Sequence, residues 1–508
     1  MRNLVEQRLV RLLCFVVTCF ACSAGITGCG SIKSSFNPNT EYPKALLQED
    51  YRMFRNILED AHPSLYWYTP KDSLDYYFNN GYQQIADSMT EPQFRKLLSF
   101  VIAKIDCGHT SIRSSKQYAH YLDSARLPQF PLGIKFWDDS AVLYMNINRN
   151  DSVLTRGTVL TSIDGVPLTR IRDSLFQYMV TDGYSISHKY QTLSNLGNFG
   201  GLYQSVYGAR DRFRVGYIDA QGVQQERLVP LYDIRKDSAY RRYRRSLTPL
   251  TKKERKRNGL FNTRNIQVDT AGSIAVMTVT TFSDGNRLKS FFRQSFRLLQ
   301  QKQVKNLVID LRNNGGGNVA LSTKLTKYLS DHKFKLADSL YANRRLSAYE
   351  RHIKNSVGAL FFMTFVTHKK SDGRYHFGYF ERHFFTPRSR YHYNGNVYIL
   401  TGGNSFSAST LFVNALKGQH NVKVVGEETG GGAYGNTAWF IPDATLPNTR
   451  VRFRLPRFRM VMNRNYVKNG RGIMPDIEVK PSTDAIRKGY DVKLEYVKKL
   501  IDAQKAGF

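Results

Sequence analysis

Cysteine is scarce. The 508-residue chain has five, and four of them, Cys14, Cys19, Cys22 and Cys29, fall within its first 29 positions. Only Cys107 lies further on, so with the leading segment removed no internal disulfide is available. Acidic residues are also in short supply, 41 against 74 Lys and Arg, giving a formal charge of +33. That excess permits attraction to nucleic acid, anionic headgroups or acidic substrates, and says nothing about fold. No zinc-finger or RRM-type motif accompanies it, and no His, Cys or carboxylate cluster has ligand spacing. Nucleic-acid binding, metal ions and organic cofactors are therefore not expected. The apolar run Leu12 to Ile26 is too short to span a bilayer as a stable helix.

What that run does have is the layout of a secretory signal. Arg2, Arg8 and Arg11 precede it, and it breaks at Thr27, Gly28 and Cys29. Ile26-Thr27-Gly28-Cys29 resembles a bacterial lipobox, which implies lipidation of Cys29 and a membrane-anchored protein of the bacterial cell envelope, periplasmic or surface-exposed. Residues 1–28 are read as the signal and 29–40, polar with Pro38, as a tether. Removing 1–28 takes away three arginines and one glutamate, which leaves +31.

The remaining length suits several domains. Residues 41–118 have helical periodicity: Leu46 to Ile57 is amphipathic, Thr69-Pro70 reads as cap and first residue of a second helix, and Thr90-Glu91-Pro92-Gln93 as a capping box opening a third. Gly108 is placed to end that third helix in a left-handed turn, leaving His109 in a loop. Residues 119–235 are strand-rich, with a hairpin signal at Asp164-Gly165 and a helix from Arg170 to Met179. This resembles the second half of a PDZ domain, which accepts a peptide by strand addition; an unrelated small β domain is the alternative. Residues 236–262 read as an exposed basic linker, since Arg235 to Arg257 holds eleven Lys and Arg against Asp237 and Glu254. From 263 to 482 the pattern is α/β, with 339–393, rich in Phe and basic residues, as an insertion or lid, and a C-terminal helix follows within 483–508.

Two glycine-rich turns stand out in the α/β part. Strand Leu307 to Leu311 runs into Arg312-Asn313-Asn314-Gly315-Gly316-Gly317, then a helix. This loop lacks the Lys-Ser/Thr of a P-loop and the spacing of a dinucleotide fingerprint, so its bare backbone suits an oxyanion donor better than a phosphate. Strand Val397 to Thr401 is followed by Gly402, Gly403 and Asn404, with Ser405, Ser407 and Ser409 at the start of the next helix and Gly418 at its end. A serine there is either a helix cap or a nucleophile facing unpaired N–H groups, that of Ala408 among them.

The strings DCGHT, IDLRNNGGG, NSFSAST, VVGEETGGG and GIMPDI occur in this order. Together they resemble the tail-specific, or C-terminal processing, serine peptidases, in particular the tricorn-core branch. The resemblance implies a crotonase/ClpP-like core of ββα units, an N-terminal helical segment and a PDZ-like module. It implies Ser407 as nucleophile, His109 as base, and an oxyanion hole from the N–H of Ala408 with Gly316 or Gly317. Three family features are missing: a lysine at Gly432, a serine at Gly108, and a glutamate at Asn469. No carboxylate occurs between Asp443 and Asp476, so Asn469 is the candidate orienting residue, with Asp106 as an acid from elsewhere. The implied function is an exported serine endopeptidase acting on protein or peptide substrates through an acyl-enzyme. A catalytically impaired peptide-binding protein on the same scaffold is the alternative.

Overall fold

The apolar faces legible in the first third of the chain become three packed helices. In the computed structural model, which describes residues 36–269, 273–354 and 356–505, these are α1 (Lys44–Ala61), α2 (Lys71–Gln83) and α3 (Glu91–Ala103). The apolar run 12–26 and Cys29 lie outside the described residues, and the compact unit that carries these helices begins at Asn39. Among the described residues no helix is long and apolar enough to cross a membrane. The capping box opens α3 as expected, the Gln93 side chain accepting from Thr90 N at 2.7 Å. Thr69 does not cap α2, whose N-cap is Pro70; its hydroxyl donates instead to Lys104 O at 2.6 Å.

The helical segment has no core of its own. Leu47, Phe54, Leu58, Phe94, Leu98 and Ile102 are buried together with Leu446, Val451 and Phe453 from the far end of the chain. Ile112–Arg113 pairs as a strand with Arg452–Arg454, and the Phe54 and Phe453 rings meet edge to face at 5.2 Å. The next module, by contrast, encloses its own apolar cluster. Its antiparallel sheet has the order Leu132–Trp137, Ser140–Asn146, Val159–Ile163, Arg212–Ile218, Gln224–Pro230. Asp164 and Gly165 both take positive φ, 51° and 77°, so the predicted hairpin forms and Ile163 pairs with Val166. The helix after it runs Leu168–Phe176, starting and ending a little earlier than its pattern predicts. The basic stretch forms helices Ser238–Ser246 and Lys252–Thr263, which bury no side chain.

The α/β part is built on six strands among the described residues: β1 (Arg264–Val268), β2 (Ile274–Val279), β3 (Asn306–Asp310), β4 (Asn396–Thr401), β5 (Val422–Gly426) and β6 (Ile477–Glu478), in that spatial order. Strands β2 to β6 are parallel and β1 is antiparallel. Leu307, Val308 and Ile309 in β3 are all fully buried, as a parallel sheet covered on both faces requires. Helices α4 (Leu288–Gln301), α5 (Val319–Thr326) and α6 (Ala408–Leu416) connect them. The region expected as an insertion or lid is woven into a second sheet: Ser339–Ala342 pairs with Phe458–Val461, which pairs with Gly435–Ala438. The start of that region thus takes its strand partner from the C-terminal half.

Candidate active site

Ser407 sits where β4 hands over to α6, with φ 56° and ψ −119°. That conformation is strained for a residue with a Cβ. It occupies the N-cap position, yet its side chain makes no capping hydrogen bond. Its neighbours behave differently. Ser405 Oγ donates to Leu311 O at 2.8 Å and accepts from Gly402 N, and Ser409 Oγ donates to Asn314 O at 2.8 Å. Of the three serines, Ser407 alone keeps an uncommitted hydroxyl, and it lines a cavity of about 880 Å³.

The glycine loop after β3 closes on this turn. A Cβ added to Gly316, whose φ is +96°, would lie 2.7 Å from Ser407 Cβ and 2.9 Å from Ala408 N, so only glycine lets the loops meet. The loop is held by Arg312, which bridges Asp310 and Asp491 through paired hydrogen bonds of 2.6–2.9 Å. Of the two glycines expected to donate to an oxyanion, Gly316 is already engaged, its N–H donating to Asn314 Oδ1 at 2.9 Å. Gly317 lines the cavity beside Ser407. Ala408 N, as the first helical N–H, has no partner within its own helix.

His109 is reached by a different route from the one expected. The helix α3 ends at Ala103, and Asp106, not Gly108, takes the left-handed turn at φ 53°. Gly108 is required because a Cβ there would lie 2.5 Å from Phe406 Cζ. The His109 ring then packs against Phe406 at 4.7 Å between centroids and is only 5% exposed. Its Nδ1 stands 3.9 Å from Asp182 Oδ1, beyond hydrogen-bond range. Asp182 Oδ1 accepts from Gly108 N at 2.8 Å. Both imidazole nitrogens and Asp182 Oδ2 are buried without a hydrogen-bond partner among the described residues, so no hydrogen bond joins His109 to Ser407.

Asn469 makes no hydrogen bond to the imidazole. It is exposed, and its Oδ1 accepts from Arg471 N at 3.0 Å, closing a local turn that fixes the following segment. Arg471 in turn grips Glu428 through bonds of 2.9 and 2.8 Å, locking the GEET string to GIMPD. Asp106 is no substitute at the ring: burial pushes its carboxyl up to about 6, and no ion pair links it to His109. Asp182 and His188 escape a reading of the sequence. His188 stacks on the same Phe406 ring at 4.9 Å and bonds Gly403 O through Nδ1 at 2.6 Å, and burial lowers its pKa. Both lie within residues 119–235, beyond the helix Leu168–Phe176, where no motif marks them.

Residues 273–479, which contain the strained serine and both glycine loops, match the profile of peptidase family S41. This region is an S41 peptidase domain. That match supports a serine-type peptidase. The chain's fold is similar to that of mature CPAF, with a TM-score of 0.61 at 14% identity over 90% of this chain and 96% of that one. CPAF complexed with lactacystin gives 0.62 at 16% identity, covering 90% and 98%. The photosystem II D1 C-terminal processing protease gives 0.40 at 14%, covering 87% and 95%. No curated protein sequence matches this chain significantly.

Proposed function

We propose that this chain cleaves peptide bonds of protein or peptide substrates with Ser407 as nucleophile. The observation that carries the reading is the Ser407 backbone: a strained, uncapped serine at a helix N-terminus, open to a cavity while its two neighbours are tied down. Ser407 Oγ attacks the carbonyl carbon as His109 takes its proton, and the oxygen that becomes negative accepts from Ala408 N and Gly317 N. His109 returns the proton to the leaving amine, and water hydrolyses the acyl-enzyme. Asp182 is the acid that orients the imidazole. The 3.9 Å gap between them closes when substrate is bound, since catalytic hydrogen bonds are often long in free enzymes.

The finer architecture belongs to the same proposal. The α/β core is of crotonase/ClpP type, the antiparallel module is PDZ-like and holds a substrate strand, and the chain is exported and anchored through lipid on Cys29. A second reading, a peptide-binding protein with little catalysis, has one observation in its favour: neither nitrogen of His109 has a partner among the described residues. A fluorophosphonate probe separates the two. The peptidase labels on Ser407 and loses the label in Ser407→Ala. A binding protein retains peptide affinity without labelling.

A further inference from the structure

The cavity beside Ser407 has a strongly one-sided charge. Lys289, Lys324, Lys327, Arg388 and Arg454 all line it. No carboxylate lies within 4 Å of any of them among the described residues, although ion pairs are spread over the rest of the molecule. The carboxylate with most influence on Arg454 is Asp443, and it is already held by Arg452 at 3.0 Å and Arg113 at 3.6 Å. Arg388 is fixed rather than free. Its guanidinium lies 4.9 Å from the Tyr328 ring centroid, its main-chain N donates to Lys327 O at 2.7 Å, and its buried Nε has no hydrogen-bond partner among the described residues. Burial lowers the pKa of Lys324, and the charges of Arg388, Lys289 and Lys327 lower it further.

Crowding like charges around a partly enclosed space is unfavourable, and a bound anion relieves it. Part of the lining is aromatic: Phe380 and Trp439 meet at 4.4 Å and line the cavity with Phe440. We infer that this cavity is the specificity site of the peptidase and takes a substrate segment bearing carboxylates beside a bulky apolar residue. Five cations without a carboxylate partner and an aromatic wall, all facing the nucleophile's cavity, match that chemistry on both sides. The inference rests on the peptidase reading of Ser407. The carboxylates come from Asp or Glu side chains or from a free peptide C-terminus, and the two sources are separable.

Quenched fluorogenic peptides with Glu, Gln or Lys on either side of the scissile bond, each with a free or an amidated C-terminus, test it on the full chain. The expected kcat/KM for Glu peptides exceeds that for Gln peptides by about tenfold or more, with Lys peptides poorest. The ratio shrinks as salt rises from about 50 to 500 mM. In Lys324→Gln/Arg388→Gln, and in Lys289→Gln/Lys327→Gln should the first pair fail to fold, the Glu-to-Gln ratio falls towards 1. A Glu-over-Gln preference that persists in amidated peptides assigns side-chain carboxylates, and a loss of rate on amidation that is equal for Glu and Gln peptides assigns the terminal carboxylate. Cleavage of Glu and Gln peptides at equal rates that amidation does not change overturns the inference and leaves the peptidase standing. If no peptide is cut and Ser407 does not label, the peptidase reading fails instead. Anisotropy of fluorescent Glu and Gln peptides on Ser407→Ala then decides the cavity: preferential Glu binding upholds its charge selectivity, and equal binding overturns it.

Discussion

The two halves of the site are built in different ways. Ser407 is held by its own backbone: β4 leads in, α6 leads out, and the hydroxyls on either side are satisfied by main-chain carbonyls. His109 is held by packing, between Gly108, Phe406 and Asp182, segments that are far apart in sequence, and three buried polar atoms there go without partners among the described residues. Unpaired buried polar groups cost about 1–3 kcal/mol each, so the histidine half carries an unfavourable energy of its own, as the strained Ser407 backbone does in the other half. The nucleophile's turn is thus set between one strand and one helix, with the loop after β3 deciding which serine stays free, whereas proton transfer depends on how well three remote segments fit. Mutations in the first half should remove the chemistry outright, and mutations in the second should grade it.

The largest effect sharpens that contrast. Ser407→Ala is expected to lower kcat/KM by at least about 10³-fold and abolish fluorophosphonate labelling, while Ser409→Ala still labels and loses about 1 kcal/mol of stability in a denaturant melt. Next comes the acid. Asp182→Asn should cost about 10²- to 10⁴-fold in kcat, and Asn469→Ala, placed on a surface turn, no more than about twofold. Equal losses in the two variants would return the orienting role to Asn469. Gly108→Ala drives a methyl into Phe406 and should cost about 1–3 kcal/mol of stability, with kcat falling because the ring also supports His109.

The smallest effect is on pH dependence. Burial, with the Arg459 charge nearby, holds the His62 imidazole down to about 3. Its neutral form is preferred in the fold, where it hydrogen-bonds Thr110, the residue after His109. Between about pH 6.5 and 3 the unfolded chain binds the extra proton, so this group makes stability fall as pH falls. Asp106, raised to about 6 by burial, works against it between about pH 4 and 6, because there the folded state binds more protons. Melting temperatures from pH 7 to 4 should therefore fall less steeply in His62→Gln than in the parent, and more steeply in Asp106→Asn. Identical profiles would remove the role given to both groups.

Much of the fold could be read from local pattern. The capping box at Thr90, the Asp164-Gly165 turn, the parallel strands β2 to β5 and Gly418 just past α6, at φ 93°, all follow from residues within one element of each other. The misreadings have long-range causes. Thr69 bonds a carbonyl 35 residues away, and Gly108 answers to a ring nearly 300 residues on. The choice among three equivalent serines could not be made locally either, because the carbonyls that engage Ser405 and Ser409 come from the loop after β3.

The order of residues was enough to set the strand, glycine and serine succession at β4 and α6, since turn chemistry and helix starts are governed by neighbours a few positions apart. It was not enough to name the carboxylate behind His109 or to gather five cations around one cavity. Those are matters of distance between side chains from separate segments, and only the packed chain fixes such distances.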